Sequence, residues 1–164
     1  MTETLASFNV LPPDEAEAHL LYCCGSRAWA SAVAAQRPYV DLPALMETAD
    51  VVWSKLGPAG WLEAFAAHPR LGDSGGRAPR QSEKEQSAIV QAGDVTLASL
   101  AEENRRYEAR FGHVFLFSAA GHTATEVLSA LRERMSNDAE TEVKVAAEEQ
   151  RKITRLRLGS MLHE

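Results

Sequence analysis

The chain has 164 residues, 45% of them hydrophobic and 24% charged, with a formal net charge of −6. That size and make-up predict one globular domain, residues 1–164, able to bury about two-thirds of its unfolded surface without a disulfide or metal staple. The acidic balance argues against a broad footprint for nucleic acid or anionic lipid, because such binding needs clustered Lys and Arg.

Pro12, Pro13 and Asp14 suit a helix start, and Ala16, Leu20, Leu21 and Cys24 follow at helical spacing until Gly25. Cys23 and Cys24 are adjacent, with Cα atoms about 3.8 Å apart, too close for an unstrained disulfide, so a reducing compartment is expected. Ser26 caps a second helix through Trp29 and Val33, which Pro38 ends. Asp41 and Pro43 start a third, striped by Leu45, Ala49, Val52, Trp53 and Leu56, and Gly-Pro-Ala-Gly at 57–60 reads as a turn.

A short apolar helix follows through Trp61, Leu62 and Phe65. Pro69 biases the residue before it away from helical backbone, which puts His68 at the helix end. Residues 72–81, rich in Gly, Arg, Ser and Pro, read as a mobile loop. Ser82 and Glu85 have capping-box spacing. The next helix carries Leu97, Leu100, Asn104, Tyr107 and Phe111 on one face before Gly112, with Asn104 a polar intruder.

Residues 113–118 form a short apolar run that we assign as extended. Thr123 and Glu126 offer a second capping box, for a helix through Val127, Leu128, Leu131 and Met135 that Ser-Asn-Asp at 136–138 breaks. The last helix runs to the C-terminus with Val143, Ala146, Ala147, Ile153, Leu156 and Ser160 on a face shared by Gln150 and Arg157. The pattern predicts an all-α, compact helical bundle of about eight or nine helices. No basic-then-apolar leader and no run of roughly 18 apolar residues is present, so a cytoplasmic protein without a membrane partner is expected.

No Gly-rich phosphate loop, HExxH, CxxC or GxSxG occurs, so nucleotide, zinc and serine-hydrolase chemistry lack motif support. The candidates are polar residues placed where a purely structural bundle would use others. His68 can move protons near neutrality, or it can cap a helix C-terminus. Ser82 and Glu85 cap a helix, and that helix start with Gln86 beside it also suits a polar ligand. Arg157 on an apolar face must meet a carboxylate, either a protein side chain or a substrate.

HPRLG at 68–72, SEKEQ at 82–86, NRRYEARFG at 104–112 and KITRLRL at 152–158, with CCGSRAW at 23–29 and the Arg37-Pro38 pair, together resemble the 2-oxo-4-hydroxy-4-carboxy-5-ureidoimidazoline (OHCU) decarboxylase family. The resemblance implies an all-helical, cofactor-free, homodimeric carboxy-lyase that converts the ureidoimidazoline to (S)-allantoin in urate degradation. It implies catalytic roles for His68, Glu85 and Arg157. Substrate contacts would come from Pro69, Ser82, Glu83, Lys84, Glu85, Gln86, Arg157 and the main chain of Phe115, Leu116, Phe117, Ser118 and Ala119. Family members usually carry an apolar or aromatic residue and then proline after the Phe-Gly pair, where this chain has His113 and Val114. A hydrolase or isomerase of another cyclic ureide, or a non-catalytic helical binding module, is the alternative reading of the same residues.

Overall fold

The structure, a computed structural model, describes residues 2–69 and 93–164, and these divide into two compact units, one of residues 1–64 with 151–164 and the other of residues 65–150. Among the described residues there are seven helical spans, against the eight or nine expected for the whole chain, and one two-stranded pairing. The described residues are all-α apart from that pairing. None of its described helices is long and apolar enough to cross a membrane.

In the first unit, β1 (Glu3–Thr4) leads into α1 (Leu5–Asn9), α2 (Pro13–Cys23), α3 (Arg27–Ala35) and α4 (Leu42–Phe65, of which this unit holds the part through Ala64). Local chemistry sets the starts. Pro13 opens α2, the Ser26 hydroxyl accepts from Trp29 N–H at 3.2 Å, and the Asp41 carboxylate accepts from Ala44 N–H at 2.9 Å. Phe8, Leu20, Trp29, Val33 and Leu45 are wholly buried, and the Trp29 indole donates to the Ala49 carbonyl at 3.0 Å. The Arg37 guanidinium donates to the carbonyls of Phe8, Leu11 and Ala34, so it ties α1 to α3.

The four-residue turn expected at 57–60 contracts to a single position. Only Gly57 leaves the helical region, at φ 76°, and Pro58 resumes the helix at once. Glycine tolerates that φ, and proline, lacking an N–H and fixed near helical φ, is well suited to restart a helix. The Trp61 indole donates to the Trp53 carbonyl at 2.9 Å across the break.

The second unit contains α5 (Asp94–Phe111), α6 (Ala124–Arg134) and the first half of α7 (Ala139–Met161). Gly112 at φ 80° closes α5 with its N–H on the Glu108 carbonyl, and Thr123 and Glu126 form the anticipated reciprocal capping box of α6. Leu100, Tyr107, Phe115, Val127 and Leu131 make the core where α5 packs on α6.

Two sequence expectations for the later part of the chain change. Residues 114–119 are non-helical and, among the described residues, join no strand; two of their backbone groups, the Ser118 N–H and the Leu116 carbonyl, are held by side chains instead. The buried positions of α7 include Glu142, Ala146, Glu149, Gln150, Ile153 and Arg157, while Leu156 is 44% exposed and Ser160 is exposed. The α7 stripe thus spares an apolar residue and buries charged ones, which is stable only where each charge finds a partner. The helix ends at Met161, and β2 (Leu162–His163) pairs in parallel with β1.

Candidate active site

His68 stands one turn beyond the end of α4, its N–H on the Phe65 carbonyl at 3.2 Å, as the following proline requires. It and Pro69 are half-buried. The ring is oriented from α7: His68 Nε2 lies 2.6 Å from Gln150 Oε1, and Gln150 is wholly buried. The preceding α7 residue, Glu149, accepts the Ser118 N–H at 2.8 Å. Adjacent residues of one helix therefore hold the two arms expected to meet substrate, the His68 imidazole and the 115–119 main chain.

The second arm is pinned again at Leu116, whose carbonyl accepts Arg134 Nη1 at 2.6 Å. Arg134 in turn donates through Nε to Glu142 Oε2 at 2.9 Å, and its guanidinium lies 4.4 Å from the centre of the Phe115 ring. Glu142, wholly buried, also accepts the Tyr107 hydroxyl and, on Oε1, the Asn137 amide at 3.0 Å. Burial, then the hydrogen bond to Glu142, push the Tyr107 phenol above its ordinary range, so it stays a donor. A satisfied polar network of this kind makes a rigid support for the backbone it touches.

His113 packs among aromatic rings. Its ring sits 5.2 Å from that of Phe65, 5.5 Å from Tyr107 and 6.3 Å from Phe111, and Nδ1 donates to the Val114 carbonyl at 3.0 Å. The Phe65 contact joins the α4 end before His68 to the start of the 115–119 arm. Phe115, Leu116 and Ala119 are buried and Phe117 and Ser118 half-buried, so this arm offers main chain more readily than side chains.

Arg157 belongs to the first unit and is buried, as its place on the α7 face predicts. Its charge reaches Cys24. Burial pushes that thiol up to about 12, opposed by the Ser26 backbone, the Thr154 hydroxyl and then Arg157. Both cysteines are buried and unpaired by disulfide. Ser82, Glu83, Lys84, Glu85 and Gln86, and the loop expected at 72–81, lie outside the described residues. Sequence reasoning missed Glu149, Arg134 and Glu142 as supports of the site because isolated charges read as solvent-facing. Asn104, the polar intruder of α5, is buried.

An OHCU decarboxylase family model matches residues 9–159. The chain is 35% identical over 148 residues to the uric acid degradation bifunctional protein TTL of Arabidopsis thaliana, covering 87% of this chain and 46% of that one. This chain thus spans about half the length of that relative. It is 30% identical over 140 residues to the 2-oxo-4-hydroxy-4-carboxy-5-ureidoimidazoline decarboxylase of Amia calva, covering 81% of this chain and 79% of that one. A crystal structure of an OHCU decarboxylase in the presence of (S)-allantoin superposes with a TM-score of 0.76 at 34% identity, over 85% of this chain and 94% of that one. Matched by that family model over residues 9–159, the chain belongs to the OHCU decarboxylase family.

Proposed function

We propose that this chain decarboxylates 2-oxo-4-hydroxy-4-carboxy-5-ureidoimidazoline to (S)-allantoin, with His68 as general acid and base. The observation that carries the reading is the paired grip of α7, where Gln150 holds the His68 ring and Glu149 holds the Ser118 amide. A proton-transfer group and a main-chain recognition strip fixed by one rigid helix are what a positioned acid–base reaction needs.

Departure of CO2 leaves an electron pair that the neighbouring ring C=N takes up. The hydroxyl on the carbon that lost CO2 then gives up its proton, and the ureido-bearing carbon gains one on a single face. His68 carries that proton. The whole step consumes one proton, because the carboxylate leaves as neutral CO2. The main chain of Phe115, Leu116, Phe117, Ser118 and Ala119, with Pro69, binds the ring and ureido group. Arg157 takes an anionic or carbonyl group of the substrate through its planar fork. Ser82, Glu83, Lys84, Glu85 and Gln86 complete the recognition, and Glu85 tunes His68. The electron sink lies within the substrate, so the reaction as written calls on no cofactor.

The continuous family match over 9–159 supports treating residues 1–164 as one functional domain, and a homodimer is the assembly we propose for it. The two unbridged thiols support a reducing, cytoplasmic setting. The deciding experiment generates the unstable ureidoimidazoline in situ from urate with an upstream oxidase and hydrolase, then follows allantoin and its optical activity. Fast, one-handed allantoin with release of CO2 is expected. A slow, racemic background unchanged by the protein would overturn the reading.

A further inference from the structure

A neutral imidazole accepts a proton only through the nitrogen that carries none, so whatever holds the other nitrogen decides which atom does the chemistry. His68 Nε2 faces Oε1 of Gln150 at 2.6 Å. An amide oxygen accepts and never donates, so Nε2 bears the hydrogen and the lone pair of the neutral ring sits on Nδ1. Gln150 is well placed to enforce this. It is wholly buried, lies within the 23-residue α7, and its neighbour Glu149 is itself tied to the Ser118 amide.

We propose that Gln150 is a positioning residue that locks His68 in the Nε2–H tautomer and thereby assigns proton transfer to Nδ1. The meaning of that transfer rests on the decarboxylase reading above. The choice of an amide has a chemical logic. A carboxylate in this position would favour the imidazolium, whereas a neutral carbonyl orients the ring without adding a charge beside Nε2. The reverse amide orientation would present NH2 to Nε2 and select the opposite tautomer, so the two arrangements make opposite predictions.

Nitrogen-15 NMR of the full chain labelled in its histidine rings tests this directly, with the His68 signals assigned as those absent from His68→Asn. Above the ring's titration, the His68 hydrogen is expected on Nε2. A hydrogen on Nδ1, or an average over both tautomers, would overturn the proposal whatever the activity.

Two variants probe the consequence for the pH dependence of kcat/KM. Gln150→Glu moves the acidic limb to higher pH, and Gln150→Leu moves it to lower pH with kcat down at least about tenfold, a part of the 10²–10⁴ that positioned acid–base catalysis contributes. Folded variants whose limbs stay at the wild-type position would also overturn it. If neither variant folds, the wild-type spectrum decides alone. Absence of decarboxylation by the wild-type protein would instead remove the proposed function and leave the tautomer result standing.

Discussion

At Cys24, 1% exposed, burial raises the thiol from 9.0 to about 12, and at Tyr39 burial raises the phenol from 10.0 to about 12. An acid whose folded value is raised favours folding while its unfolded form is still neutral. The Cys24 contribution is therefore complete below about pH 9 and drains as pH climbs toward 12, at up to ~1.4 kcal/mol per pH unit. Urea midpoints measured from pH 7 to 11 should fall faster above pH 9 in the wild type than in Cys24→Ala, and parallel curves would remove the thiol from the account. The native thiol should resist a thiol reagent at pH 8 and react once urea unfolds the chain. His68 tests the chemistry at the same scale. His68→Ala should keep the wild-type helical spectrum and lose about 10²–10⁴ in kcat/KM.

Among the elements, α6 and α7 carry the clearest energetic predictions. Arg134 and Glu142 form a buried pair that also holds Leu116 and Tyr107. Arg134→Met alone leaves a carboxylate buried without its cation and should cost about 3–5 kcal/mol in urea unfolding. The double variant Arg134→Met with Glu142→Gln should recover part of that loss, and a double variant as unstable as the sum of the singles would deny the coupling. Thr123→Ala removes the α6 cap and should cost about 1 kcal/mol. Its partner Glu126 is held below its ordinary range by the Thr123 backbone, so the support it gives is present above that range and fades as pH falls through the lowered value.

The elements also show what the sequence makes legible. Caps act over three residues, so Ser26, Thr123 with Glu126 and Gly112 could be read directly. That the helix stops before His68 followed from one proline, Pro69. The burial of Glu142, Glu149 and Arg134 could not be read, because a charge is stable inside only through a partner on another segment, as Arg134 is for Glu142 and Ser118 is for Glu149. The same long-range choice turned Leu156 outward. Within the candidate site, the residue types at His68 and 115–119 were legible, but the hands that hold them were not.

For the whole molecule, the two units differ in how the sequence supplies them. Residues 65–150 are one continuous stretch, whereas the first unit draws on residues 1–64 and 151–164. Its closure includes the β1–β2 pairing, the wholly buried Leu158, the nearly buried Leu162, and the Glu164 carboxylate that accepts the Leu42 N–H at 2.8 Å. Leu162→Ala should cost about 2–5 kcal/mol by emptying a core position, and exchange of the amides around Thr4 should quicken with it.

That division gives synthesis on the ribosome a particular timing. Translation runs at about 5–20 residues per second, so the first 64 residues wait on the order of 5–20 s for residues 151–164 to be made. Through that interval the Glu3–Thr4 strand and the Leu42 N–H wait for Leu162–His163 and Glu164, while residues 65–150 are still being made. Helices α1 to α4 thus leave the exit tunnel before the segment that completes their unit, and they meet chaperones with that closure still missing.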